Sequence, residues 1–504
     1  MSAEATLTTL RRLLTDAGTL ADAAGDAPGA AELAGVRARL DEPLRVAIAG
    51  KVKAGKSTLL NALIGERIAP TDAGECTRIV TWYQASHTSR VTIERHDGTR
   101  IPTSYRRGDD GALEVDLAGH DPAAVRRLVV EWPSRSLASM TLIDTPGLFA
   151  ATGEASQRTV DFLTPRPDAP GEVDAVVYLL RHVHADDVRF LETFHDRELA
   201  QPSPVNTLGV LSRADEIGVC RDDALHSAER VAARLNGDAR IRRLCQAVVP
   251  VAGLLAQAAA VLSEDQVGVL RAVAALGPDT REALLRSTSR FVADDAEVVV
   301  SAAQRAEVLE ALGWFGIRLA VDALSADPAL SGPALAGVLR DASGIEGFRS
   351  LLRTQFTARA GVLQARSAAA VLTGVLDRLA DPRAAALGSE LEATLAATHA
   401  HAELRLLSLL RVGVVPLPDR DDAEMLLGAG GTDPAARLGL AASCSDVEVV
   451  RAATEALARW RRRAEHPMSS RAVKDAARVL TRTCEGLLAA PLAAASHGDG
   501  SSQP

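Results

Sequence analysis

Aromatic side chains are scarce: 8 Phe, 3 Tyr and 4 Trp make up 3% of 504 residues. So few rings argue against a base-stacking platform for single-stranded nucleic acid. Cysteine is equally thin. Cys76, Cys220, Cys245, Cys444 and Cys484 stand far apart and form no C-x-x-C pair, which excludes a disulfide framework and a zinc site and predicts a reducing, cytoplasmic setting. No apolar run reaches the ~20 residues that span a bilayer; the longest, 247–262, is interrupted by Pro250 and Gln257. The first residues include Glu4 and lack the basic run and apolar stretch of a secretory signal, so membrane contact is expected to be peripheral. Positive charge is not in excess either. Fifty-six Lys and Arg against 65 Asp and Glu leave a net charge of −9, so no global basic field draws the chain to nucleic acid. What remains, 47% hydrophobic and 24% charged residues, belongs to a folded chain with an ample core. At roughly 150 residues per domain the length predicts two to four units.

Lysine is scarce. Only Lys51, Lys53, Lys56 and Lys474 occur, and the other 52 basic residues are arginine. Three of the four fall within six positions, so that segment needs a compact ammonium rather than a planar guanidinium.

The hydrophobic pattern divides the chain. Residues 1–43 predict a helix with Leu7, Leu10, Leu14, Ala17, Leu20 and Ala24 on one face, a break at 25–29, and a shorter helix over 31–40. From Leu44 the pattern becomes short apolar runs: 44–49, 79–84, 90–94, 128–132, 141–143, 175–180, 207–211 and 247–251. Asp97-Gly98 signals a hairpin. Helical stretches at 187–199 and 223–235 alternate with the later runs, which predicts a mostly parallel sheet covered on both faces. After about Ser263 only helical patterns follow, with breaks at Gly277-Pro278, Gly332-Pro333, Pro382, Pro416–Pro418 and Pro467. The longest, 345–379, carries Ile345, Phe348, Leu352, Phe356, Ala360, Leu363, Val371 and Val375 on one stripe. The expected architecture is an α/β domain at 44–262 inserted in an elongated helical bundle made from 1–43 and 263–495, with a disordered tail at 496–504.

Gly50-Lys51-Val52-Lys53-Ala54-Gly55-Lys56-Ser57 matches G-x-x-x-x-G-K-S between an apolar strand and a helix, the context in which that motif cradles phosphates. Glycines let the backbone wrap the anion, amides and the helix N-terminus hold its charge, and Lys56 reaches the β/γ-phosphates. Ser57 supplies a hydroxyl to Mg²⁺. Next in order, Asp144-Thr145-Pro146-Gly147 follows a strand. There Asp144 is expected to hold Mg²⁺ through water, and the Gly147 amide to sense the γ-phosphate. Ser212-Arg213-Ala214-Asp215 follows another strand, where a carboxylate can accept from both N1–H and N2–H of guanine.

In series, these motifs resemble the GTPase signature, and residues 69–78 narrow it. That segment is similar to the first switch of dynamin-like GTPases, with Thr77 before Arg78. The whole chain is identified as a member of the bacterial dynamin-like GTPases, of the actinobacterial isoniazid-inducible protein C group. The likeness extends to Glu131-Trp132-Pro133, 212–218 and Trp460-Arg461-Arg462-Arg463. It implies Mg²⁺-dependent hydrolysis of GTP, with Lys56, Ser57, Thr77, Lys53 and Gly147 at the reacting phosphates and Ser57, Thr77 and Asp144 at the metal. The base would sit against Ser212, Arg213, Asp215, Ala252 and Gly253. The resemblance further implies dimerisation through the GTPase face, with itself or a sister GTPase, and membrane remodelling in contact with anionic lipid at the inner face of the plasma membrane.

Departures from that pattern are specific. Dynamins carry a catalytic glutamine and a serine where this chain has Val52 and Lys53. Val52 cannot orient water, and Lys53 can supply an ammonium where the family recruits a monovalent cation. Arg213 replaces the usual lysine and can stack on a base by its planar face. Two other readings stay open, a regulatory GTPase switch and a nucleotide-binding scaffold without membrane-bending activity. His182-Val183-His184-Ala185-Asp186 is expected to be a loop and not a two-metal site. Trp460–Arg463 is expected to be a helix end favoured by the helix dipole, and 412–417 a buried connection, with a lipid-contacting tip as the lesser reading.

Overall fold

The computed structural model describes residues 3–70, 79–108, 111–117, 119–146, 172–181, 204–294 and 298–498, the side chains of 3, 123 and 490–498 aside. Nine strands form one sheet in the order β11-β10-β9-β1-β8-β2-β7-β3-β4. They are β1 (Leu44–Gly50), β2 (Thr81–Ala85), β3 (Arg90–Arg95), β4 (Arg100–Thr103), β7 (Val125–Trp132), β8 (Met140–Asp144), β9 (Ala175–Leu180), β10 (Thr207–Ser212) and β11 (Val248–Val251). A small ribbon of β5 (Tyr105–Arg107) and β6 (Leu113–Val115) stands apart.

From β11 to β8 every neighbour pair is parallel. β2 runs antiparallel to β8 and parallel to β7, and β3 and β4 close the edge as the hairpin expected at Asp97-Gly98. The sequence runs thus mark the strands to within three residues at each end, while β4, β5 and β6 were not anticipated as strands. Their alternation of half-exposed residues carries little apolar signal.

β1 shows why the central strands are apolar throughout. Val46 and Ile48 face one core cluster, Ala47 and Ala49 the other, as a sheet covered on both faces requires. The first cluster continues through Phe348, Phe356 and Trp460; the second continues through Leu255, Leu312 and Phe315. Helices of the C-terminal half therefore lie directly on the sheet. Arg411 ties the two together: it is buried, donates to the Cys245 carbonyl at 3.0 Å and pairs with Glu424 at 3.3 Å.

The N-terminal helices Ala3–Ala23 and Ala27–Arg39 pack on Ala360–Leu376 and Pro382–Ala397, around Leu10, Leu14, Leu33, Leu372 and Leu391. The chain thus leaves this helical layer after residue 40, builds the sheet, and returns. Gly-Pro and Pro signals start helices where expected. Pro278, Pro333 and Pro382 sit in the first turn, where a missing N–H is harmless. Ser263, Ser301 and Ser445 close capping boxes with Gln266, Gln304 and Glu448.

Two expectations are corrected. The helix read over 345–379 is broken into Ile345–Gln355, a 3-10 turn at Thr357–Arg359, and Ala360–Leu376. Its two halves face different cores: Phe348, Leu352 and Phe356 lie in the sheet-facing cluster, Leu372 and Val375 against the N-terminal helices. Buried Arg359 fixes the turn by donating to the Leu427 and Gly428 carbonyls at 2.9 and 2.8 Å. The last helix, Arg471–Gly498, takes in 496–498 of the expected disordered tail at 496–504, whose remaining residues lie outside the described ones; the alanines at 489, 490 and 493–495 are strong helix formers. The helix 187–199 lies outside the described residues.

Trp460 is fully buried, and Arg459, Arg461 and Arg463 pair with Asp422, Glu485 and Asp419 at 2.5, 2.7 and 2.6 Å. Arg461 and Arg462 stay exposed, in the last turns of the helix Asp446–Glu465. In the connection at 412–417, Val415 and Leu417 are buried while Val412 and Val414 are exposed. Among the described residues, no helix is long and apolar enough to cross a membrane.

Candidate functional site

Three loops leave the carboxyl ends of parallel strands side by side, the usual position of a ligand site in such sheets. β1 delivers Gly50 opposite Leu179 of β9, and Ile48 opposite Asp144 of β8. Register alone therefore brings Asp144 to the loop at 50–57. Gly50 has φ +155°, and a Cβ there would lie 3.0 Å from both the Leu179 Cβ and its carbonyl oxygen. Gly55 is left-handed, φ +91°, and opens the helix Lys56–Ile64. Lys53 also has positive φ, +62°, a conformation that costs a non-glycine residue energy. Val52 and Lys53 are exposed at the mouth of the loop.

The Lys56 ammonium curls back over this loop, donating to the Gly50 and Lys51 carbonyls at 3.4 and 3.3 Å. Burial holds it below its ordinary pKa, and the Asp144 charge offsets part of that. An anion seated in the loop would favour its charged form. Ser57 Oγ donates to Asp144 Oδ2 at 3.1 Å, whereas Asp144 Oδ1 is buried with no partner. Burial raises the Asp144 pKa, against the pull of Lys56, Ser57 and the Thr145 amide. Thr145 anchors the turn by donating its hydroxyl to the Ile48 carbonyl at 2.9 Å. An orphaned carboxylate oxygen beside a hydroxyl is a hard-oxygen pair that suits Mg²⁺.

The third loop carries the base-reading candidates. Ser212 Oγ donates to the Leu180 carbonyl at 3.3 Å. Arg213 adopts φ +55° and pairs with Glu216 at 2.6 Å, while Arg181 reaches the other Glu216 oxygen at 3.1 Å. Asp215 is buried. Burial raises its pKa, the Glu216 charge adds to this, and its own amide pulls the other way. A cavity of about 160 Å³ opens here, walled by Ala54, Gly55, Thr58, Leu59 and Leu179 on the loop side. Ser212, Arg213, Asp215, Glu216, Val251, Gly253 and Leu254 wall the other.

The structure thus joins Gly55, Ser212, Arg213, Asp215 and Gly253 around one cavity, adjacent to Lys56, Ser57 and Asp144. Ala252 is not part of the wall; it is fully buried and its amide is bound to the Ser343 carbonyl at 2.9 Å. Thr77 and Gly147 lie outside the described residues, as do His182, His184 and Asp186. The approach to the first of them is fixed by buried Asn61, whose Oδ1 accepts from the Ile68 and Ala69 amides at 3.0 and 2.8 Å.

Sequence reasoning missed Thr58, Leu59, Leu254 and Glu216 as wall residues. It also missed Gly313, where the helix Ala302–Ala326 kinks with φ +69° and a Cβ would stand 3.1 Å from Leu254 Cδ2 and 3.9 Å from Asp215 Oδ2. A glycine in mid-helix was the available signal.

Known proteins agree with this geometry. The Dynamin family profile matches residues 46–169, the segment that holds the phosphate loop and Asp144. The isoniazid-induced protein IniC of Mycobacterium tuberculosis is 40% identical over 458 residues, covering 90% of this chain and 92% of that protein. The chain belongs to the bacterial dynamin-like GTPases. A bacterial dynamin-like protein of Nostoc punctiforme is 35% identical over 115 residues, 21% of this chain and 16% of its own. A structure described as an oligomerised bacterial dynamin pair for long-range sensing and tethering of membranes covers 98% of this chain and 76% of its own. Its identity is 14% and its TM-score 0.27. As a dynamin-like GTPase the chain binds GTP and hydrolyses it to GDP and phosphate.

Proposed function

We propose that residues 44–262 bind GTP with Mg²⁺ and couple its hydrolysis to pairing across the nucleotide face, with a second copy or a sister dynamin-like GTPase. Residues 1–43 and 263–495 form the helical part that carries the change to a membrane, remodelled at the inner face of the plasma membrane through anionic lipid. The observation that carries this reading is the convergence of the loop 50–57, Asp144 and Asp215 on one side of the parallel sheet.

The roles follow from chemistry. The loop amides and the helix start at Lys56 hold the β/γ-phosphates, and the Lys56 ammonium turns from the loop carbonyls to the phosphate oxygens. Asp215 accepts the paired donors of guanine. Ser57, Asp144 and Thr77 are the residues that would hold Mg²⁺, which when bound neutralises charge between the β- and γ-phosphates. Thr77 and the Gly147 amide would place the attacking water and sense the γ-phosphate.

Lys53, exposed at the open face of the loop, supplies positive charge to the transition state without an external cation. Turnover is then expected to be the same in K⁺, Na⁺ or a bulky inert cation at fixed ionic strength. Lys53→Ser should lower kcat about tenfold or more, with GTP affinity changed by less than about fivefold. A kcat per protomer that rises steeply with protein concentration, and further with anionic vesicles, supports pairing coupled to a membrane. Turnover independent of both would overturn the coupling, and an absolute K⁺ requirement would overturn the role of Lys53.

A further inference from the structure

Away from the nucleotide loop, a cavity of about 250 Å³ opens between the helices Ala360–Leu376 and His399–Val412. Its polar wall is one-signed. Arg366 enters from the first helix, His401 and Arg405 come one turn apart from the second, and no carboxylate among the described residues lines it. Other buried or half-buried arginines of the helical half each have an acceptor. Arg359 and Arg411 donate to buried carbonyls, and Arg437 pairs with Glu403 at 2.8 Å. Arg366 and Arg405, by contrast, make no hydrogen bond or ion pair among the described residues.

Such an arrangement gathers like charge. Burial holds the Arg366 guanidinium below its ordinary pKa. Burial, and then the charges of Arg366 and Arg405, hold His401 below its own. Arg366 and His401 are half-buried and Arg405 is exposed, so three cationic or potentially cationic groups border one partly solvated space, where an anion would offset their mutual repulsion. Ser408, Leu404 and Leu409 complete the wall, and the two leucines offer apolar surface to whatever carries the anion. At about 30 Å³ per water, the space is larger than a small inorganic anion fills.

We propose that this cavity is a binding site for a phosphate group, free or carried on a lipid headgroup, held by the guanidinium forks of Arg366 and Arg405 with His401 as third donor. Guanidinium forks match phosphate oxygens in pairs, which a point charge does not. The two helices it would join lead to different parts of the molecule. Ala360–Leu376 carries the N-terminal helices, and His399–Val412 reaches the sheet through Arg411. A bound phosphate would therefore clamp the N-terminal helical layer to the nucleotide-binding half.

The test uses the full chain and inorganic phosphate as the probe, titrated by calorimetry against wild type, Arg366→Gln and Arg405→Gln. The nucleotide loop is identical in all three, so their difference reads this cavity alone. Each substitution should weaken the phosphate event it affects about tenfold or more. Arg366→Leu, measured by thermal unfolding without phosphate, should match or exceed wild type, because it removes a half-buried charge with no partner among the described residues, and should lose the phosphate-induced rise. Sedimentation with phosphatidylcholine vesicles, with and without phosphatidic acid, separates the sources. Capture by phosphatidic acid that is lost in Arg366→Gln assigns a lipid headgroup, and a response to free phosphate alone assigns a soluble ligand. Phosphate binding that is unchanged in Arg366→Gln and Arg405→Gln would overturn the site. So would an Arg366→Leu chain that unfolds earlier yet keeps its phosphate response, since Arg366 would then be a structural cation.

Discussion

Lys56→Ala should lose GTP binding by a factor of about a hundred or more while folding as the wild type does. Among the described residues the ammonium is bonded only to the Gly50 and Lys51 carbonyls, and burial disfavours its charge. Removing it takes away a desolvated cation whose native contacts are long, so the unfolding temperature without nucleotide should be unchanged or slightly higher. With nucleotide the balance reverses. Each charge-assisted hydrogen bond to a phosphate oxygen contributes about 1.5–3 kcal/mol, and Lys56 is placed to make more than one. Thermal unfolding with and without GTP and Mg²⁺ checks both halves: wild type should be stabilised and the variant should not. Equal stabilisation of the two chains would remove Lys56 from the phosphate site.

Asp215→Asn should exchange base preference. An aligned pair of contacts to a base edge is worth about 1–3 kcal/mol, so GTP affinity should fall roughly tenfold or more. XTP, which presents an acceptor where guanine has its amine, should bind the variant better than GTP. The pH dependence provides an internal control. Burial raises the Asp215 pKa in the free protein, and the two guanine donors stabilise its charged form in the complex. GTP affinity should therefore be full above the raised pKa and fall as pH drops through it, beginning higher than for an ordinary carboxylate. The amide introduced by Asp215→Asn does not titrate, so that fall should disappear. A variant that keeps the wild-type preference for GTP over ATP would show that the base is read elsewhere.

Much of the site could be read in the sequence because its parts are punctuated locally. Gly50 and Gly55 mark positive φ, the three clustered lysines stand out in an arginine-rich chain, and Asp144 and Asp215 each follow a short apolar strand. The fold of the first half was legible for the same reason. In the helical half, periodicity gave helices but not their ends. The apolar stripe runs unbroken across Phe356–Ala360 because both sides are buried, and only a distant partner, the carbonyls of Leu427 and Gly428 receiving Arg359, turns the chain there. Gly313 is marked in the sequence only as a mid-helix glycine, and nothing near it shows that its helix passes within reach of Asp215. Ala252 falls at the expected loop, but its amide is claimed by Ser343 from the helical half, a contact no local pattern encodes.

Equilibrium binding of non-hydrolysable GTP and ATP analogues to the wild-type chain, with Mg²⁺ and then with EDTA, tests the central claim most directly. The account predicts one GTP analogue per chain, at least about tenfold tighter than the ATP analogue because only guanine satisfies Asp215, with affinity falling when Mg²⁺ is removed. An ATP analogue bound as tightly as the GTP analogue would contradict it.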